Sequence, residues 1–275
     1  MRRFERALEI DPGDVVAHNN LGAALITLGR PDDALRHLTR ALTLDPDEPK
    51  SKVHRNLGRA LMDLGRVNEA LAHLEQAVRE EPRDADAQYS LGVVLTGVGR
   101  PTDAIAYLEA ALAARPEDPE IHDALGSALL RSGRPGEAVE RYRRALALAP
   151  DRREAHNNLG SALIALGRTE EAIAEFEQAL RSNPDYANAH YNLASALSNA
   201  GRPREAIPHF RHALRLEPED VQARFECALA YARSGERPAA LAMAEEALTV
   251  ARTRSEAALA DRIDAWLSAY RAVRD

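Results

Sequence analysis

Apolar residues recur along this chain at spacings of three and four, broken at regular intervals by glycine or proline. Between Asn157 and Pro184, Leu159, Leu163 and Leu166 fall on one helical stripe, and Ile173, Phe176 and Leu180 on a second. Gly167 lies between the stripes, where a helix end needs a residue of positive φ. Glu170 and Glu171 then occupy a first turn, close to the positive end of a helix dipole. Pro184, which has no N–H to continue the ladder, stops the second helix. The small side chains of Gly160, Ala172 and Ala179 let the two helices approach closely. The pattern predicts a helical hairpin with two short amphipathic arms.

That hairpin repeats. Glycines at the turn stand at 29, 65, 99, 133, 167, 201 and 235, with a first interval of 36 residues and five of 34. Seven residues earlier stand Gly22, Gly58, Gly92, Gly126, Gly160, Ala194 and Ala228; alanines recur five and twelve residues later; a proline closes most units, from Pro46 to Pro218. A helix-turn-helix of this length, with small, large and proline positions in this order, resembles the tetratricopeptide repeat (TPR) family over almost the whole chain. The resemblance implies an all-α fold, a right-handed superhelical α-solenoid of helix-turn-helix repeats. The repeats span 15–50, 51–84, 85–118, 119–152, 153–186, 187–220 and 221–254. The chain departs from the family where His18, His54, His122, His156 and His190 replace the usual bulky aromatic. The last repeat has Arg252 in place of proline and Cys227 in place of leucine.

Residues 1–14 match only the second helix of a unit, with Phe4, Ala7 and Pro12 in register. A half-repeat leaves an apolar face open. It predicts either that the chain is a piece of a longer protein or that it self-associates through this uncapped helix. At the other end, 255–275 carries Ala258, Leu259, Ile263, Trp266, Leu267 and Tyr270 without a turn or second helix, and reads as a capping helix starting near Arg254. The two extra residues of the first interval lie near 49–50. They either lengthen the loop or start the next helix early.

Composition narrows the function. Apolar residues make up 45% of the chain but aromatics only 4%, so thin Ala/Leu layers are expected rather than a thick core. A net charge of -7 excludes the basic stripe of a general nucleic-acid binder. One cysteine, Cys227, excludes an internal disulfide or a multi-cysteine zinc site. No apolar run is long enough to cross a bilayer, and the expected location is cytoplasmic. Phosphate loops, dinucleotide fingerprints and metalloprotease or nucleophile-elbow motifs are missing, so no enzyme activity and no cofactor are expected. The recurring histidines sit one per repeat, roughly a helix-pair width or ~10 Å apart. Zinc needs ligands about 2 Å from one point, so these residues are read as packing, not as a metal site.

The partner expected is a protein or an extended peptide, with no nucleic acid and no membrane. Asn20, Asn56, Asn158 and Asn192 hold one repeat position, interrupted by Ser90, Ala124 and Glu226. An amide can donate and accept, and so can bind a peptide backbone without reading its side chains. The series resembles the ladder in the TPR region of O-linked N-acetylglucosamine transferases, as do the strings around Asn19-Asn20 and Asn157-Asn158. The resemblance implies that first helices line a concave groove and that these amides face into it. It also implies the alternative of a substrate-recruiting arm for a larger enzyme. The plainer alternative is that asparagine is simply tolerated at a solvated position. Lys52, Arg55 and Arg59 share a helix face, while Asp86, Glu120, Asp123 and Glu154 hold inward positions. They predict either a bipolar groove or merely solvated faces. Tyr89, Tyr191 and Phe225 either line the groove or lie between repeats. Arg55 and Asn56 echo a carboxylate clamp for chaperone tails, but later repeats lack its basic partners.

Overall fold

The computed structural model describes residues 1–44 and 50–272 of the chain. These residues form helices and connecting turns, with no strand among them. They divide into two compact units that meet in sequence between Leu148 and Ala149. The first unit contains α1 (Arg2–Ile10), α2 (Val15–Thr27), α3 (Pro31–Thr43), α4 (Ser51–Asp63), α5 (Val67–Glu80), α6 (Ala85–Gly97), α7 (Pro101–Ala114), α8 (Pro119–Arg131) and α9 (Pro135–Leu148). The second contains α10 (Arg153–Ala165), α11 (Thr169–Ser182), α12 (Ala187–Asn199), α13 (Pro203–Leu216), α14 (Val221–Ser234), α15 (Arg237–Thr253) and α16 (Ala257–Ala272).

Each hairpin is built by the same local chemistry. At the turn after α10, Leu166 caps the helix and Gly167 adopts φ +74°. The Arg168 N–H donates to the Leu163 carbonyl at 2.9 Å, and the Gly167 N–H to Ile164 at 2.9 Å. This is the Schellman arrangement, in which two orphan carbonyls are satisfied and the residue at C′ is left-handed. The other six turn glycines share the positive φ. Leu166, expected on the buried stripe, is instead 40% exposed, because the cap rotates it out of the layer. First helices begin on Asp side chains where the sequence supplies them: Asp14, Asp84, Asp118 and Asp220 accept from backbone N–H groups two or three residues on. Proline opens α3, α7, α8, α9 and α13, where no donor is lost.

Within a hairpin the helices touch through small-on-large contacts. A Cβ built on Gly22, Gly58 or Gly92 would lie 2.5 Å from Leu38, Leu74 or Leu108 Cγ, and one on Gly160 2.5 Å from Phe176 Cε1. Gly126 meets Tyr142 in the same way at 2.7 Å. The alanines five and twelve residues after each turn glycine, from Ala34 and Ala41 to Ala240 and Ala247, are all buried. Along each unit, first helices pack directly on one another: α2 on α4, α4 on α6 and α6 on α8, then α10 on α12 and α12 on α14. Within each unit, second helices touch the first helix of their own repeat and of the next: α3 on α4, α5 on α6, α7 on α8, α11 on α12 and α13 on α14. The first helices thus form the continuous inner row of each unit.

The ends follow the amphipathic pattern. On α1, Phe4 and Leu8 lie partly buried against Leu21, Leu25 and Leu38, whereas Ile10 is 82% exposed. At α16, Ile263 and Leu267 bury against Val221, Phe225 and Ala251. The last helix begins at Ala257, three residues later than the sequence suggests, because Ser255 turns the chain at φ +60°. α4 starts at Ser51, in repeat register with α2 and α6, so the helix after the two extra residues does not begin early. Asp45–Pro49, which include Pro46 and most of that insertion, and the last three residues of the expected cap lie outside the described residues.

Candidate functional site

The asparagines of the first helices are divided between two roles. Asn56 Nδ2 donates to Asn19 Oδ1 of the preceding repeat at 2.8 Å, and Asn192 Nδ2 donates to Asn157 Oδ1 at 2.9 Å. Asn56 and Asn157 are buried. Each unit therefore contains one amide–amide bridge that ties the first helix of a repeat to the next. Asn19, Asn20, Asn158 and Asn192 remain half-buried on the same row. Asn19 and Asn20 line a cleft with Val15, Val16 and the exposed Lys52, which brings three of the expected contact residues together. Val16 is itself 65% exposed in that cleft.

The charged residues do not keep the separation expected of a bipolar groove in the first unit. Arg55 Nη1 reaches across to Asp84 Oδ2 at 2.7 Å and Asp86 Oδ2 at 3.2 Å. Arg115 then meets the other oxygen of Asp86 at 3.0 Å and Asp118 at 3.4 Å. Basic and acidic side chains of successive repeats neutralise one another, because the spacing of the first helices places position 55 beside the cap of α6. Lys52 and Arg59, on the same helix, stay exposed, and Tyr89 and Asp123 are half-buried. In the second unit Tyr191 packs edge-on against Phe210 with ring centroids 6.0 Å apart. Burial lifts its phenol above the ordinary pKa, assisted by the Glu226 carboxylate, so it is a neutral donor and acceptor. Phe225 is not a groove residue: it is buried beneath Trp266 of α16, edge to face at 5.8 Å.

The histidines show a feature that the single-helix reading missed. Four of them, His18, His54, His156 and His190, face the residue nineteen positions later on the second helix, whereas the buried His122 Nδ1 has no hydrogen-bond partner. His18 Nδ1 lies 3.1 Å from His37 Nδ1, His54 Nδ1 2.9 Å from His73 Nδ1, and His190 Nδ1 2.9 Å from His209 Nδ1. His156 Nδ1 meets Glu175 Oε2 at 2.7 Å. The other ring nitrogen often donates to the carbonyl of the proline that closed the previous repeat: Pro12, Pro116, Pro150 and Pro184 receive His18, His122, His156 and His190 at 2.9–3.2 Å. Gln88 and Arg224 reach Pro82 and Pro218 from the same position. Among the described residues no three His, Cys, Asp or Glu side chains are grouped to hold a metal. The His-x18-His spacing was visible in the sequence, but only pairing the two helices of one repeat gives it meaning.

Cys227 is buried, and desolvation pushes its thiol up to about 12, which leaves it an inert apolar filler. Among the described residues no helix is long and apolar enough to cross a membrane.

Tetratricopeptide-repeat models match residues 15–48, 55–119, 124–187, 160–202, 187–220 and 221–246. No curated protein matches the chain. Many solved structures share the fold. The chain is similar to YrrB, described as a TPR protein with an unusual peptide-binding site, at 25% identity and TM-score 0.56, covering 68% of this chain and 95% of that one. It is similar to a chain of the Cut9–Hcn1 hetero-tetramer of the APC/C at 20% identity and TM-score 0.74, covering 94% of this chain and 51% of that one. Pseudomonas aeruginosa PilF is similar at 21% identity and TM-score 0.65, with 78% and 96% covered. Repeat period, turn chemistry, hairpin packing and family models agree, and the chain belongs to the tetratricopeptide-repeat family.

Proposed function

We propose that the chain is a non-catalytic scaffold that holds an extended peptide along its first-helix rows. The observation that carries this reading is the set of half-buried amides, Asn20, Asn158 and Asn192, on the first-helix rows. Such amides can pair with a peptide backbone at roughly 0.5–1.5 kcal/mol net per bond. Tyr191 and the cleft holding Asn19, Lys52 and Val16 would add side-chain contacts at either unit. The similarity to YrrB, itself described as having a peptide-binding site, supports a peptide as the class of ligand. Asn56 and Asn157 serve mainly as bridges between repeats and belong to the site's frame.

The test is selection of peptides from a displayed random library against the folded chain, followed by titration of the winners. Asn20, Asn158 and Asn192 changed together to Ala should weaken binding at least tenfold while the helical circular dichroism stays intact. Unchanged affinity in that variant would remove the amide reading. The same series supports a use as the recruiting arm of an O-linked glycosyltransferase-like enzyme, which would present its substrates in the same manner. A separate observation favours self-association: α1 leaves Ile10 exposed, and Leu8, Leu21 and Leu25 line a groove with charged side chains such as Glu5, Arg30 and Asp33. Sedimentation that stays monomeric at high concentration would dismiss it.

A further inference from the structure

We propose that the paired histidines are proton-sensitive latches that hold the two helices of repeats one, two and six together at neutral pH and release them in acid. The geometry dictates the protonation state. His190 Nε2 lies 2.9 Å from the Pro184 carbonyl, which can only accept, so Nε2 carries the proton. In the neutral ring Nδ1 is then a bare acceptor, and the bond to His209 at 2.9 Å requires His209 to donate from its own Nδ1. His18, on Pro12 at 3.2 Å, and His37 repeat this arrangement. Opposite tautomers of two neutral rings make the contact. Adding a proton to the accepting ring sets two N–H groups against each other inside a half-buried seam.

The surroundings were weighed for each pair. His37 faces His18, Arg36, Asp33 and Glu5; desolvation dominates and lowers its pKa. His54 and His73 face each other with Glu80, Arg79 and Lys50 around the first and Glu69 near the second, and desolvation again lowers both. His190 and His209 face His212, whose ring stacks on His190 at 3.9 Å, together with Arg215 and Asp185, and both are lowered by desolvation. The carboxylates oppose these shifts without reversing them. A folded pKa below the unfolded value of 6.5 means that unfolding takes up protons. The stabilisation is therefore complete above pH 6.5 and is lost as pH falls toward the folded values. Repeat five has the opposite sign. There Glu175 and the Pro150 carbonyl outweigh desolvation and raise His156, so that contact is complete below pH 6.5 and fades as pH rises through the folded value. Repeats three and seven, with Gln88 and Arg224 at the position, supply controls within one chain.

This inference stands apart from the peptide reading, since its readouts need no ligand. Repeat-resolved amide exchange on the full chain at pH 7.5 and 5.5, corrected for intrinsic rates, should show α2/α3, α4/α5 and α12/α13 losing protection in acid relative to α6/α7 and α14/α15. A uniform loss over all repeats would overturn the proposal. The variant carrying His18→Gln, His54→Gln and His190→Gln places at each position the residue type that Gln88 already uses on Pro82, and should lose the selective acid effect. If its acid profile matches the parent's, the latch is wrong. Independently of that variant's folding, nitrogen-detected NMR titration of the parent should place the ring pKa values of His37, His190 and His209 below 6.5, with His37 and His209 as Nδ1–H tautomers. Values at or above 6.5, or Nε2–H tautomers at both members, also overturn it.

Discussion

At the scale of a single residue, the contact that sets hairpin spacing is Gly160 over Phe176. A glycine inside a helix ordinarily costs roughly 0.5–1 kcal/mol relative to alanine, so Gly160→Ala should help if the helix were alone. Here the added methyl would lie 2.5 Å from the Phe176 ring, fully buried among its neighbours. The expected outcome is a net loss of about 1–3 kcal/mol, the usual cost of overpacking, read from urea unfolding. Gly167→Ala should also destabilise, but for another reason: nothing lies within 4 Å, and the cost comes from φ +74°. Asparagine, which tolerates the left-handed region, should recover part of the loss at 167 and none at 160. The existence of both small positions could be read from the sequence, because the period aligns them. Which bulky residue each one faces could not, since Phe176 is chosen by how the two helices roll together. Likewise Asn20, Asn56, Asn158 and Asn192 were legible as a series, but the bridges from Asn56 to Asn19 and Asn192 to Asn157 depend on the stagger between repeats.

At the scale of the element, helices and turns follow local rules closely, and α13 breaks one. Pro208 sits inside it, six residues from its start, where its missing N–H leaves the Arg204 carbonyl without its helical donor. The residue is exposed, so nothing packs against the ring to justify it. Pro208→Ala should raise stability, by up to ~3 kcal/mol on the helix-interior scale, measured as an upward shift in the thermal midpoint. An unchanged midpoint would indicate that the backbone already absorbs the loss. The glycine ends of the first helices were legible from their period, whereas the Asp caps of α2, α6, α8 and α14 emerge only in the structure. The surface pairs that follow the first six turns, such as Arg168 with Glu171 at 2.6 Å, lie at the surface. Water screens such exposed pairs, so the turns rest on their backbone bonds. Sequence position alone does not reveal that Arg55 reaches the cap of α6.

At the scale of the whole molecule, each repeat is stabilised chiefly by its immediate neighbours, and end elements have neighbours on one side only. Trp266, the chain's single tryptophan, reports on one such element. It stacks on Tyr270 at 4.5 Å and covers Phe225, while Arg237 lies over the Tyr270 ring. In a urea titration Trp266 emission should shift red at a lower concentration than the loss of helical circular dichroism. Coincident transitions would mean that the chain unfolds as one cooperative block. Removing α16 should expose Val221, Phe225 and Leu248 together and bring aggregation. The succession of helical hairpins was legible because the period is strict. The division into two units at Leu148 left no mark in the sequence, since the repeats on either side have the same length and composition.

The carbonyls of Pro12, Pro82, Pro116, Pro150, Pro184 and Pro218 work as a socket with an interchangeable plug. Histidine fills it from His18, His122, His156 and His190, glutamine from Gln88 and arginine from Arg224. All three supply a donor at the same spot, yet only histidine titrates near neutrality. A lineage of such chains could therefore lose acid sensitivity one repeat at a time, by a single codon change, without disturbing the architecture that the socket holds; gaining it also requires a histidine nineteen positions later, where Gln88 and Arg224 have Tyr107 and Met243. Sensitivity would be a property written separately from shape.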